Sequence, residues 1–146
     1  MADAERELTR EDFRYFVDIQ TRWMDNDIYG HVNNVEYYSY IDTMVSHFLF
    51  DNVARDYTTR EEIGLVVETK CAYRRQISFP DMVEGALRVA KIGRSSVTYE
   101  VGLFKKGQDE ICAHGHFVHV YVNRSTNRPT PIPEDARAAM EKFKVG

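Results

Sequence analysis

A single helix-length apolar stripe stands among runs of strictly alternating residues, and this asymmetry restricts the fold more than any other feature of the chain. Val35, Tyr38, Ile41, Val45, Phe48 and Leu49 recur at three to four residues, the spacing that gathers apolar side chains on one helical face. Asn33 precedes the stripe and Glu36 stands three residues later, which is capping-box spacing in its Asn form. Asp51-Asn52 marks the expected end.

Everywhere else the period is two. Val17, Ile19, Thr21 and Trp23 alternate with Asp18, Gln20 and Arg22, which predicts a half-buried strand. After Gly64 come four more strands: Leu65 to Tyr73, Val83 to Val89, Val97 to Leu103 and Ile111 to Val122. The breaks between them are Ser78-Phe79-Pro80-Asp81, Ile92-Gly93-Arg94 and Lys106-Gly107-Gln108, all rich in turn formers. Thr59-Arg60-Glu61-Glu62 repeats the capping-box spacing and predicts one short helical turn before Gly64. Pro129, Pro131 and Pro133 close the sheet region, because proline donates nothing to a ladder. Pro133 suits the first turn of a terminal helix over Glu134 to Lys144, with Ala136, Met140 and Phe143 facing inward.

The order strand, long helix, four strands, short helix is an α+β pattern. Successive strands joined by tight turns pair antiparallel, and one amphipathic helix covers one face of such a sheet. A chain of 146 residues reads as one domain, residues 1–146, with the polar first dozen residues flexible. At this length roughly 70% of the unfolded surface can be buried without a disulfide or a metal. Lysine and arginine number 19 against 23 aspartates and glutamates, a net charge of −4. That balance excludes the broad basic surface that nucleic acid or an anionic membrane requires.

Cys71 and Cys112 form no framework and no Cys-x-x-Cys pair. The charged stretch from Met1 to Glu7 has no apolar run of the signal-peptide kind, and no segment approaches the ~20 apolar residues of a membrane span. The expected location is the cytoplasm, where the glycosylation spacing of Asn123-Arg124-Ser125 has little force.

The densest polar chemistry is Asp25-Asn26-Asp27-Ile28-Tyr29-Gly30-His31-Val32-Asn33-Asn34. A loop that merely connects strand to helix is commonly polar. This one, however, holds two carboxylates, a histidine and three asparagines, and it abuts the start of the long helix. A helix N-terminus carries free backbone donors and the positive end of the macrodipole. With Asn33 as cap, the N–H of Asn34 is left pointing outward, where it can stabilise an oxygen gaining negative charge. A carboxylate just upstream can act as base or nucleophile beside it. These are the parts of an acyl-transfer site without a serine.

The segment Arg22-Trp23-Met24-Asp25-Asn26-Asp27-Ile28-Tyr29-Gly30-His31-Val32-Asn33-Asn34, with Tyr37 behind it, resembles the opening of hot-dog acyl-CoA thioesterases of the 4-hydroxybenzoyl-CoA thioesterase branch. The resemblance continues through Tyr73-Arg74, Ile92-Gly93-Arg94-Ser95-Ser96-Val97 and Pro131-Ile132-Pro133, and covers roughly residues 15 to 140. It implies an antiparallel sheet wrapped around one central helix. It places Asp27 where that family has its catalytic carboxylate, and Asn34 where the helix-start N–H polarises the thioester carbonyl. Asp25 corresponds to the less essential acid. His31 and Asn33 match one subset of the family; for His31 the plainer reading is a loop hydrogen bond.

Other chemistries find less in the chain. Cys112, His114 and His116 alternate on a strand and share a face, but no fourth ligand has zinc-site spacing, so no metal is expected. There is no Gly-x-Ser-x-Gly and no Gly-rich phosphate loop. Asp27 with His31 does not match the hydratase pattern of the hot-dog fold well. Lys91, Arg94, Ser95 and Ser96 are candidates for the phosphates of coenzyme A, or else a hairpin charged for solubility. Among Tyr37, Tyr38, Tyr40 and Phe48, most are expected in the core or an interface, with one or two lining an acyl pocket; Tyr37 is a candidate substrate contact.

The expected activity is hydrolysis of an acyl-CoA to a carboxylic acid and free CoA, with no cofactor. Two alternatives stay open: a non-catalytic module that binds acyl thioesters, and a thioesterase acting on acyl carrier protein. A sheet with one covering helix leaves edges and a face open. At least a homodimer is therefore expected, by edge pairing that continues the sheet, and a tetramer of two such dimers is its natural extension.

Overall fold

The computed structural model describes residues 6–145. Five strands form one antiparallel sheet: β1 Tyr15–Gln20, β2 Glu62–Tyr73, β3 Met82–Ile92, β4 Ser96–Lys105 and β5 Ile111–Asn123. The helix α1, Asn34–Asn52, packs on one face, and the short helix α2, Glu134–Lys142, packs against β3. This is the hot-dog architecture.

The spatial order is β1-β3-β4-β5-β2. β3, β4 and β5 pair as successive hairpins, as their tight connections dictate. β2 and β3 do not pair, which corrects the expectation that every consecutive pair would. Residues 74–81 instead carry the chain from one edge of the sheet to β1 at the other, passing the start of α1. There Val32 N–H donates to the Ile77 carbonyl at 2.7 Å, and the Ile77 N–H donates to the Tyr37 hydroxyl at 3.3 Å.

α1 buries Tyr37, Tyr40, Ile41, Met44, Val45 and Phe48. The stripe is rotated at its start from the one read in the sequence, since Val35 is 65% exposed and Tyr38 is 38% exposed. Two overlapping stripes existed in that stretch, and the sheet selects the one bearing Met44. Gly85 of β3 and Gly115 of β5 lie under this face. A Cβ at Gly85 would overlap the Met44 side chain, and one at Gly115 would come within 2.6 Å of Ile41 Cδ1. The helix therefore lies closer to the sheet than any larger residue at those two positions would allow.

Several boundaries differ from the sequence reading. β1 ends at Gln20, and Trp23–Asp25 forms a 3-10 turn that leaves Trp23 75% exposed rather than inward. No helical turn forms at 59–62. The amides of Thr59 and Arg60 both donate to the Asp56 carbonyl at 3.1 Å, and the chain then enters β2, which contains Gly64. Pairing with β5 along the whole of 62–73 outcompetes a lone turn. Pro133 is the N-cap of α2 rather than part of its first turn, and the helix ends at Lys142.

Of the twelve residues expected to be flexible, 1–5 lie outside the described residues. Residues 6–12 are packed: Leu8 and Phe13 bury against Ala86, Phe104 and Ile111 on the sheet face away from α1. Arg10 adds an ion pair to Glu84 at 2.5 Å. On the same face Glu100 lies between Arg88, at 2.7 Å, and His114, at 3.1 Å, and His116 meets Glu68 at 3.1 Å. The His114 hydrogen bond and the Arg88 guanidinium hold the Glu100 carboxyl down to about 2. Cys112 is buried. The three alternating residues thus do not gather a metal site, and no cluster of three ligating side chains occurs among the described residues.

His119 on β5 is 8% exposed, and its Nδ1 has no hydrogen-bond partner among the described residues. Its ring packs edge-on against Tyr99 and Phe117. Burial pushes its pKa down to about 4. A histidine held neutral when folded binds its proton more readily when unfolded, so stability falls as pH drops from about 6.5 towards 4. His119→Phe removes this contribution. The loss of unfolding free energy between pH 7.5 and pH 5, measured by urea titration, should be about 2 kcal/mol smaller in the variant than in the wild type.

Candidate active site

The loop between β1 and α1 is built on a buried carboxylate. Asp25 is 0% exposed. Its side chain accepts the backbone N–H of Arg22 at 2.9 Å, the Arg22 guanidinium at 2.9 and 3.1 Å, and the Tyr40 hydroxyl at 2.7 Å. Burial alone would raise the Asp25 carboxyl, but the hydrogen bonds from Tyr40 and Arg22 outweigh it and hold it below the usual carboxylate range. The Asp25 carbonyl accepts the N–H of Asn33 at 2.8 Å. One residue therefore ties the start of the loop, the body of α1 and the helix cap together.

Asn33 is the N-cap of α1, and its side chain accepts the N–H of Val35 at 3.1 Å. The reciprocal half of the expected capping box is absent, because the Asn33 N–H is already used by Asp25 and Glu36 turns to Arg22 at 3.5 Å. The N–H of Asn34 has no acceptor among the described residues. The Tyr73 hydroxyl donates to the Asn34 carbonyl at 3.1 Å and pins the helix start to the end of β2.

Asp27 sits on a tight turn. Its N–H donates to the His31 carbonyl at 2.8 Å, its carbonyl accepts from Gly30 at 3.1 Å, and its carboxylate accepts the N–H of Tyr29 at 2.8 Å. Gly30 has φ +83°, a conformation that glycine adopts without strain. Unlike Asp25, Asp27 is only half-buried. Its carboxylate is left with open lone pairs towards a cavity of about 620 Å³, which is also lined by His31, Asn34, Tyr37 and Tyr73.

Among the sequence candidates, Asp27, His31, Asn34 and Tyr37 are brought together. Asn33 acts from behind as the cap. His31 joins the loop through its backbone carbonyl, while its side chain is exposed at the cavity. Tyr37 is 4% exposed and its hydroxyl accepts from Ile77, so most of the side chain is core.

Lys91, Arg94, Ser95 and Ser96 are not brought there within one chain. Lys91 lies near the far end of β3, and Arg94 to Ser96 follow just beyond it; β3 has 11 residues and is therefore about 33 Å long. That hairpin is fastened instead to the C-terminal segment, with the Arg94 carbonyl accepting from Ile132 and from Arg137. The basic residues that do line the Asp27 cavity are Arg74 and Arg75. Sequence reasoning passed over Arg75. The signal was there in a pair of arginines just where the alternation of β2 stops.

The half-buried Asp27 and the helix start at Asn34 thus meet at one cavity of a hot-dog scaffold. The family model described as the thioesterase-like superfamily matches residues 21–140, and the chain belongs to that superfamily. Its structure is similar to that of the PA5185 protein from Pseudomonas aeruginosa strain PAO1, at 47% identity over 97% of this chain and 99% of that one, with a TM-score of 0.93. The PA2801 protein of Pseudomonas aeruginosa is similar at 31% identity over 86% and 96% of the two chains, with a TM-score of 0.76. BH1999, a gentisyl-coenzyme A thioesterase, shares the fold at 23% identity over 86% and 99%, with a TM-score of 0.77.

The buried anchor has a measurable signature. Asp25→Asn leaves Arg22 and Tyr40 poorly matched and should lower unfolding stability at pH 7 by about 2 kcal/mol. A carboxyl with a depressed folded pKa stabilises above its unfolded value near ~3.9 and loses that contribution as pH falls further. The gap between wild type and variant in urea titrations should therefore narrow below about pH 4.

Proposed function

We propose that this protein hydrolyses acyl-CoA thioesters to a carboxylic acid and free CoA. The observation that carries the reading is that Asp27, whose carboxylate is half-buried, and Asn34, whose N–H has no acceptor among the described residues, line one cavity. The thioester carbonyl oxygen accepts from the Asn34 N–H, whose donation strengthens as the oxygen gains charge; removing such a donor typically costs ~2.7–4 kcal/mol of transition-state stabilisation. Asp27 either attacks the carbonyl carbon and expels the CoA thiolate, giving a mixed anhydride that water then cleaves, or takes a proton from the attacking water. The reading needs no metal or cofactor. It also fits the cytoplasm, where acyl-CoA is made and used and where the unpaired Cys71 and Cys112 stay reduced.

The active unit in this proposal is a homodimer. The outer edge of β2 pairs with nothing among the described residues, and Leu65, Val66 and Val67 along it are 41%, 48% and 59% exposed. A long apolar edge of this kind invites a further strand. Two-fold antiparallel pairing of β2 with a second copy continues the sheet. It also sets the Glu62 end of the partner's strand opposite Tyr73, so the hairpin bearing Lys91 and Arg94 approaches the site from the partner side. Two such dimers back to back give the tetramer.

Asp27→Asn should lower kcat by at least ~100-fold on the best of a panel of short, long, branched and aromatic acyl-CoAs, with an unchanged circular dichroism spectrum. Asp25→Asn, assayed below its melting temperature, should cost far less turnover; the reverse ranking would show that the wrong acid was chosen. Light scattering at micromolar concentration should give two or four times the 17.0 kDa chain mass, and a fully active monomer would refute the shared site.

A further inference from the structure

Asp27 lines two cavities, not one. On the helix side lies the polar cavity already described, which includes Arg74. On the other side a second cavity, of about 470 Å³, is walled by Trp23, Met24 and Ile28 together with Asn26 and Gly30, and Asp27 is the only residue common to both.

The second cavity is unlike the ordinary surface of the chain. Trp23 is 75% exposed, Met24 72% and Ile28 91%. A single exposed apolar side chain needs no explanation, but three around one hollow mark a surface that something apolar covers. The wall is also braced, since the Trp23 ring stands edge-on to Phe79 at 6.1 Å. In the polar cavity the two arginines differ. Arg75 is engaged by Glu7 and by the Ile111 carbonyl. The exposed Arg74 guanidinium has no hydrogen-bond or ion-pair partner among the described residues.

An acyl-CoA has two unlike arms on one carbonyl carbon. One is the acyl substituent; the other is the sulfur-linked pantetheine, which ends in phosphates. With the oxygen on the Asn34 N–H and the carbon beside Asp27, the arms must leave in different directions. We propose that the acyl arm enters the cavity of Trp23, Met24 and Ile28, while the pantetheine arm leaves through the polar cavity and presents its phosphates to Arg74. The favoured acyl group is then uncharged and apolar, because that wall offers it hydrocarbon and aromatic surface. Arg74 is the phosphate contact supplied by the same chain as Asp27, where Lys91 and Arg94 can act only from a partner. This assignment rests on the thioesterase reading.

Two rate ratios test it. The first is kcat/KM for octanoyl-CoA over acetyl-CoA, which reads the acyl arm. The second is kcat/KM for octanoyl-CoA over octanoyl-pantetheine, which reads the phosphates. The double variant Trp23→Ala/Ile28→Ser should lower the first ratio by about tenfold or more and shift the second by less than about threefold. Arg74→Gln should do the opposite, lowering the second ratio by about tenfold. A crossed response, or both ratios falling together in each variant, overturns the assignment. A changed oligomeric mass of the double variant in light scattering overturns it too, because the apolar wall would then be covered by a second copy of the chain. Wild-type protein that turns over none of the three thioesters overturns the underlying reading instead, and an active wild type with unmoved ratios overturns only the assignment of the arms.

Discussion

The close seating of α1 on the sheet is the constraint from which the rest of the molecule follows. Ile41 and Met44 reach over Gly115 and Gly85, where no side chain stands in the way. Side chains in a packed interior fit like parts of a crystal, so a helix locked at two such points can neither slide nor roll by a turn. The position of its first residue is thereby settled by contacts two turns away. The Tyr73 hydroxyl then fastens that first residue to the end of β2. The free N–H of Asn34 is thereby held on a stiff frame.

The two aspartates show how environment separates identical side chains. Asp25 and Asp27 are two residues apart, yet one is fully buried and the other lines a cavity. One is enclosed and fully hydrogen-bonded by Arg22 and Tyr40. Burying a charge is costly unless it is paired and every lone pair is used, and Asp25 meets both conditions. Such a carboxylate has nothing left to offer a substrate. Asp27 spends one oxygen on the Tyr29 amide and is otherwise free to accept.

Much of this was readable from residue order. The period-two runs and the lone helix stripe established the class of fold, because alternation and three-to-four spacing are direct consequences of strand and helix geometry. The cluster from Asp25 to Asn34 was legible for the same local reason, since a cap must adjoin the helix it caps. What was not legible involved choices made by distant parts of the chain. Val35 or Tyr37 could each have faced inward until Gly85 and Gly115 decided the matter. The turn at Thr59 lost to a ladder with residues about sixty positions further on. Trp23 looked like the next inward member of β1, and only the demand of Asp25 for the Arg22 amide turned the chain out of the strand there. Spacing likewise says nothing about which end of a strand a hairpin occupies, and within one chain Lys91 and Arg94 stand at the opposite end of β3 from the Asp27 loop.

The division of labour within residues 22–34 bears on how such a protein diversifies. The loop is fixed by backbone hydrogen bonds and by the side chains of Arg22, Asp25, Asn26, Asp27, Asn33, Tyr40 and Tyr73. The side chains of Met24 and Ile28 take no part in it and stand in the open. Exchange at these positions leaves the framework of the loop intact, so their side chains can vary one substitution at a time while the loop keeps its shape. Positions that hold the loop and positions free to drift are interleaved in one short segment, and a duplicated gene could diverge there within a few steps.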